Sequence, residues 1–219
     1  MPARLRPTAP IAAEAILVGD PGRALMLAQE LLEEPKMSNH ARGLWGYTGV
    51  TEAGRQLTIQ STGMGGPSAS VVLADLAELG VRRAVRIGTC SSLGDLELGQ
   101  LLVVRDARGG EGALASPEAA KAPRPDRGLT AELLERLPEA RAGSVVSLDN
   151  LYRDDGSSSA ASAEAADMQT AALLAAAELL GVATAAILVV TEKGGEGRLS
   201  DDDLAAAAKL AGRAAAVLL

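Results

Sequence analysis

The sequence predicts an α/β fold of the three-layer α/β/α kind. Short runs of aliphatic and β-branched residues alternate with amphipathic stretches, and the alternation continues in one piece along the chain. At several strand-to-helix junctions, glycine stands beside arginine or a hydroxyl, as in Gly19-Asp-Pro-Gly-Arg23 and Arg86-Ile-Gly-Thr89. In open α/β sheets, ligands sit beyond the carboxyl ends of the strands, so these junctions are candidate binding positions. The 219 residues, 47% of them hydrophobic, suffice for one well-filled core and are short for two. Residues 1–219 are therefore expected to form a single domain. There is no Phe, and only Trp45, Tyr47 and Tyr152 are aromatic, so the core must be built from Ala, Val, Leu and Ile.

Taken in order, Ala15 to Gly19 is a short apolar strand. Pro21 then starts a helix, Ala24 to Leu32, proline being tolerated in a first turn. Leu44 to Val50 and Gln56 to Gln60 read as strands joined through a turn at Glu52 to Gly54. Ser70 to Leu79 gives a helix with Val71, Val72, Leu76 and Leu79 on one side, closed by Gly80. A buried strand follows, with Val81, Ala84, Val85 and Ile87 leading into Gly88, and Leu101 to Val104 is another. Asp106 to Gly128, rich in Gly, Pro, Ala and charge, reads as a surface excursion. Thr130 to Leu137 is a short helix and Ser144 to Leu148 a strand, followed by a polar, flexible low-complexity loop over Asp154 to Ser162. Thr170 to Thr191 has Glu178 as its only charge and is long enough to span a bilayer. Gly181 divides it, however, into an Ala/Leu-rich half and a β-branched half, which fits a helix from about Gln169 followed by a buried strand, Ala183 to Val190. Ser200 with Asp201, Asp202 and Asp203 is a strong start for a last helix to Leu219.

Composition excludes several functions. A formal net charge of −7 argues against nucleic-acid binding, so an anionic ligand needs a local arginine cluster. The single cysteine, Cys90, cannot form an internal disulfide and suits a reducing cytoplasm. The N-terminus carries Arg4 and Arg6 without the apolar run of a signal peptide. His40 is the only histidine, so no multi-histidine metal site is expected, and it reads as a surface or capping residue. Gly63-Met-Gly65-Gly66 invites a dinucleotide-binding reading, but Ser68 replaces the third glycine and no acid closes a second strand about 20 residues on. A turn approaching a small ligand fits better.

What remains is an anion seat. Arg86, Gly88, Thr89 and Ser91 at a strand end offer a guanidinium, bare backbone and two hydroxyls. Singly, the other candidates have bland readings. Arg23 closes a tight turn, Arg42 is a surface charge, Cys90 a small buried hydrophobe, Met168 core filler, and Glu192 a solvated strand-end acid.

In order and spacing, Val18-Gly-Asp-Pro-Gly-Arg23, Asn39-His-Ala-Arg-Gly-Leu-Trp-Gly-Tyr-Thr-Gly49, Ser61-Thr-Gly-Met-Gly-Gly-Pro-Ser68 and Arg86-Ile-Gly-Thr-Cys90 closely resemble the purine nucleoside and uridine phosphorylases. The resemblance covers residues 15 to 107 well and continues, degraded, from 140 to the end. It implies a mixed, twisted central sheet and phosphorolysis, in which a nucleoside and inorganic phosphate give free base and pentose 1-phosphate, without a cofactor. Carried over by position, Gly19, Arg23, Arg86, Gly88 and Thr89 would hold phosphate. Arg42 would come from a neighbouring subunit of a homo-oligomer, a dimer or hexamer. Met64, Met168 and Gln169 would line the sugar, and Cys90, Ser91, Leu151, Tyr152, Ala166 and Thr191 the base. Glu192 falls where purine-type members carry the aspartate that protonates the base, so Glu192 and Arg86 are the expected catalytic pair.

The chain departs from the family pattern at Gln169, where a ribose-binding glutamate is usual, at Leu151 for a stacking phenylalanine, at Arg4 for a histidine that reaches a neighbour's sugar, and at Glu192 for an aspartate. The phosphate half is thus kept and the nucleoside half altered. The expected activity is cleavage of a purine nucleoside. Arg153 to Glu164 lacks the Gln-x-Arg pair that reads uracil, which makes uridine phosphorylase specificity the alternative. A divergent member that binds nucleoside or phosphate without turnover is the other.

Overall fold

Along the central strands, successive apolar residues are divided between two cores, as a sheet covered on both faces requires. In β1 (Glu14–Val18), Ile16 and Val18 belong to one core while Ala15 and Leu17 belong to the other. In β5 (Arg83–Ser92), Val85 and Ile87 take the first side and Ala84 the second. The first core is closed by α1 (Pro21–Leu31), α3 (Arg127–Arg136) and α5 (Asp201–Leu218) through Leu27, Leu133 and Ala211. The second is closed by α2 (Gly66–Glu78) and α4 (Thr170–Leu180) through Leu73, Leu76 and Leu173. The expected three layers are therefore present. The computed structural model describes residues 4–109, 123–150, 163–194 and 197–219. Leu151, Tyr152, the loop expected over 154–162 and most of the excursion expected over 106–128 lie outside the described residues.

The sheet is mixed. β4 (Gln56–Ser61), β1, β5 and β9 (Ala183–Lys193) run parallel side by side. Beyond β4, β3 (Gly46–Val50) and β2 (Glu33–Asn39) continue the sheet antiparallel to its edge. At the other side, β6 (Leu101–Gly109), β7 (Arg141–Ser147) and β8 (Ala165–Asp167) connect β9 back to β5, so these five strands close a ring. A short β10 (Gly197–Arg198) folds back on β9. The ring has its own apolar filling, with Leu102, Val104, Leu174 and Leu188 in one cluster.

Local signals account for most element ends. Asp20 caps α1, accepting from the Arg23 backbone N–H at 2.7 Å, with Pro21 next. Ser200 caps α5 by accepting from the Asp203 N–H at 3.1 Å. Gly181 ends α4 in the left-handed region at φ 66°, which divides Thr170–Thr191 into helix and strand. Among the described residues, no helix is long and apolar enough to cross a membrane.

Three expectations need correction. The stretch Glu33–Asn39, unassigned from sequence, is edge strand β2; its mostly exposed residues lack the apolar alternation that marks a strand. Residues 106–109, expected in an excursion, belong instead to β6, held by parallel pairing with β7, and Arg127 and Gly128 already belong to α3. Strand β3 starts at Gly46 rather than Leu44, since Ala41–Gly43 form a short 3-10 turn whose end is Leu44.

Candidate active site

The parallel strands β4, β1, β5 and β9 end on the same side of the sheet, and beyond their carboxyl ends lies a cavity of about 510 Å³. Gly19 and Arg23 enter it from the β1–α1 turn, Gly63 and Met64 from the β4–α2 turn. Arg86, Gly88, Thr89, Cys90 and Ser91 come from β5, Ala166, Met168 and Gln169 from β8 and the segment after it, and Thr191 and Glu192 from β9. Each of these was a sequence candidate. Asp20, Pro21 and Gly65 of the same two motifs also line the cavity, as does Asp167, which was not singled out.

At the floor, Arg86 is 4% exposed and all three of its guanidinium nitrogens are engaged. Nε donates to Thr170 Oγ1 at 3.1 Å, Nη1 to Gln169 Oε1 at 2.6 Å, and Nη2 to Asp167 Oδ2 at 3.1 Å. Asp167, equally buried, also accepts from Ser147 Oγ at 2.5 Å, from the Thr170 backbone N–H, and from Thr170 Oγ1. Arg86, expected from the resemblance to hold phosphate, thus also has a resident carboxylate partner. A sequence signal for Asp167 existed: an acid three residues before Thr170, at the start of an apolar helix, is a capping pattern.

Arg23 faces the same cavity from α1. Burial lowers its proton affinity, Asp20 works against that, and the nearby positive charge of Arg86 adds to the lowering. The two arginines therefore share one hollow, one contributed by α1 and the other by β5. Both have an acid nearby, which offsets mutual repulsion in the absence of an anion.

Gln169, expected in the sugar site, has most of its amide engaged by the protein. Its Oε1 accepts from Arg86 and from Thr62 Oγ1 at 3.2 Å, and its Nε2 donates to the Gly63 carbonyl. These partners satisfy the acceptor and leave one amide N–H for a ligand. Met64 stands at the rim, 87% exposed, and Met168 is half-buried.

Also in the cavity lining, Ser91 Oγ donates to Glu192 Oε2 at 3.2 Å. Glu192 is exposed in the single chain. Arg198 lies directly across from Glu192 in the β9–β10 ladder, and Lys193 pairs with Glu97 at 3.0 Å. Thr191 is buried with its hydroxyl on the Cys90 carbonyl, and burial, with Asp167 nearby, pushes the Cys90 thiol up to about 12. Cys90 is a wall of the cavity and not a nucleophile.

Arg42 is absent from the lining of its own chain's cavity and is exposed. It adopts φ 60°, ψ 19°, unusual for a residue with a side chain. Buried Asn39 fixes this turn, donating from Nδ2 to the Ala41 and Leu44 carbonyls while accepting from the Arg6 N–H at 2.8 Å. His40 precedes the turn, exposed and without a capping hydrogen bond from its side chain. Arg4 is tethered through its backbone N–H to buried Asp75 of α2 at 2.7 Å.

Comparison with known proteins agrees with this geometry. A purine nucleoside phosphorylase DeoD-type from Oceanobacillus iheyensis is 35% identical over 162 residues, covering 66% of this chain and 65% of that protein. One from Caldanaerobacter subterraneus subsp. tengcongensis is 40% identical over 99 residues, covering 44% of this chain and 42% of its own. The matched stretches thus span about two thirds or less of these curated relatives. The crystal structure of purine nucleoside phosphorylase from Toxoplasma gondii in complex with immucillin-H superposes with a TM-score of 0.83 at 24% identity, over 95% of this chain and 92% of that one, a likeness of fold. The family model described as the phosphorylase superfamily matches residues 14–219, so the chain belongs to the phosphorylase superfamily.

Proposed function

We propose that this chain is a nucleoside phosphorylase, a pentosyltransferase that cleaves the N-glycosidic bond of a purine nucleoside with inorganic phosphate and needs no further cofactor. The observation that carries this reading is that Arg23 of α1 and Arg86 of β5 line one cavity together with the hydrogen-bonded Ser91 and Glu192. The relatives named purine nucleoside phosphorylase support the same substrate class.

In this reading, phosphate lies between Arg23 and Arg86, against the backbone of Gly19 and Gly88 and the Thr89 hydroxyl. As the glycosidic bond lengthens, positive charge grows on the sugar and negative charge on the leaving base. A phosphate anion held in line with the anomeric carbon stabilises the first and then bonds to it. Glu192, hydrogen-bonded to Ser91 and opposite Arg198 across the ladder, supports the departing base by hydrogen bonding or proton transfer. Cys90, Ala166 and Thr191 make the adjoining wall, with Leu151 and Tyr152 assigned to it by resemblance, and Met64 and Met168 border the sugar.

Exposed Arg42, pinned outward beside the edge strand, supports a homo-oligomer in which a second copy adds a third cation to the site. That copy would also cover Glu192 and Met64. One domain of this kind working in the cytoplasm is consistent with the single unpaired cysteine.

The test is release of hypoxanthine from inosine with and without phosphate. Phosphate-dependent release with formation of pentose 1-phosphate is expected. Release that is indifferent to phosphate overturns the reading. Glu192→Gln is expected to lower kcat on inosine about 100-fold with a smaller change in KM, because its role belongs to the transition state.

A further inference from the structure

We infer that Asp167 is the positioning residue for Arg86, holding one edge of the guanidinium so that its remaining N–H groups stay available to an oxyanion. The inference rests on the phosphorylase reading for the identity of that anion, but the positioning itself is argued from the cavity floor alone.

Arginine offers its donors in a rigid planar fork. Each guanidinium nitrogen of Arg86 gives one hydrogen bond to the protein, which leaves a second N–H on each terminal nitrogen. One edge of the fork is closed by Thr170 Oγ1 and Asp167 Oδ2, which are hydrogen-bonded to each other. A long side chain would otherwise sample several rotamers and lose this arrangement.

Asp167 is suited to the task because it cannot move. It is 3% exposed, and its oxygens accept from Ser147 Oγ, from the Thr170 N–H at 3.0 and 3.2 Å, and from Thr170 Oγ1 before Arg86 is counted. Ser147 Oγ is fixed in turn by the Ala171 N–H at 2.9 Å. The chain from β7 through Asp167 to the first turn of α4 thus anchors a cation carried by β5. Below the guanidinium lies Gly88, where a β-carbon would come within 2.5 Å of Nη2 and 2.7 Å of Cζ. A carboxylate at the edge and bare backbone at the face define one orientation.

The experiment compares the wild-type protein with Asp167→Asn, Asp167→Glu, Arg86→Ala and the Asp167→Asn/Arg86→Ala double variant, all full length and checked for cooperative thermal unfolding. Two readouts are taken: the KM for inorganic phosphate against kcat in inosine cleavage, and the nitrogen-15 resonance of Arg86 Nε, assigned with Arg86→Lys. Asp167→Asn is expected to raise the phosphate KM about tenfold or more with a smaller effect on kcat, and Asp167→Glu to recover part of it. In the Arg86→Ala background, Asp167→Asn should add nothing, because the partner it acts through is gone. The Arg86 Nε resonance, sharp and slowly exchanging in the wild type, should broaden or vanish in Asp167→Asn. An unchanged Arg86 resonance in Asp167→Asn, or effects that simply add in the double variant, overturns the inference. Should wild-type protein fail to cleave inosine, the proposed function falls while the resonance still decides the role of Asp167.

Discussion

The guanidinium of Arg86 lies across the backbone of Gly88, two residues along the same strand and on the same face of the sheet. A β-carbon built at position 88 would sit 2.5 Å from Nη2, with Leu188 Cδ2 at 2.8 Å on its other side. Neither neighbour can yield easily, since Arg86 is held by Asp167, Gln169 and Thr170, and Leu188 is fully buried. Gly88→Ala is therefore expected to cost about 1–3 kcal/mol in unfolding free energy, the usual range for overpacking. It should also raise the phosphate KM by displacing Arg86. Denaturant unfolding and phosphate kinetics read the two effects, and a variant with wild-type phosphate KM would mean that Arg86 does not contact the anion.

Cys90 gives a prediction of the opposite kind, an absence of reactivity. Its thiol is raised from an ordinary value of 9.0 to about 12 by burial, with the Asp167 charge adding to the effect. Iodoacetamide at about pH 8.5 should leave the folded protein unmodified and alkylate the unfolded chain. The same shift predicts a pH dependence. Between pH 9.0 and about 12 the folded protein keeps a proton that the unfolded chain has released. This contribution to stability is complete below 9.0 and is lost as pH rises through the folded value. Over that window, Cys90→Ala should show a shallower fall in unfolding free energy than the wild type; parallel slopes would contradict the shift.

Much of this site was legible from residues whose chemistry is local. Glycine and arginine at a strand-to-helix turn are visible as Gly19 to Arg23, and a buried strand ending in hydroxyls as Arg86 to Ser91, so the phosphate side could be assembled from motifs. Helix starts at Pro21 and Ser200 and the break at Gly181 were equally local. The Asp167–Arg86 pair was not, because it joins positions far apart in sequence through a strand, β8, of only three residues. Period-2 alternation needs a longer run to declare itself. The same limit hid closure of the strand ring, which depends on pairings of β8 with both β5 and β7, whereas β2 was hidden because its mostly exposed residues show no apolar alternation. Gln169 was recognised as a departure, yet its consequence depends on partners at Thr62 and Gly63 that no spacing rule supplies.

Those partners alter what Gln169→Glu should do. Judged by residue type alone, a carboxylate here would strengthen sugar binding. In the structure, Nε2 donates to the Gly63 carbonyl while Oε1 accepts from Arg86 and Thr62. A glutamate would turn an acceptor toward the Gly63 carbonyl and place a second carboxylate on Arg86 beside Asp167. The lost donor should cost about 1–3 kcal/mol of stability, and Arg86, now drawn by two acids, should bind phosphate more weakly. Thermal unfolding and the phosphate KM measure both; a variant that is as stable as wild type and tighter for phosphate would show that the amide makes no structural bond.

Arg42 offers a test of the assembly. Its turn is held in a left-handed conformation by Asn39, and its exposed side chain is not among those lining the cavity of its own chain. If a second copy receives that guanidinium, Arg42→Ala and Arg86→Ala proteins each keep only weak residual activity, for different reasons, one lacking the donated cation and the other the resident one. A mixed dimer restores one site, built from the Arg86 of the Arg42→Ala chain and the Arg42 of the Arg86→Ala chain, and leaves the other doubly damaged. With random pairing, about a quarter of wild-type activity should return after the two proteins are mixed and allowed to exchange subunits. Subunit exchange is verified with a tag on one variant. Exchange without any recovered activity would place Arg42 outside the site and leave phosphate to the two arginines of a single chain.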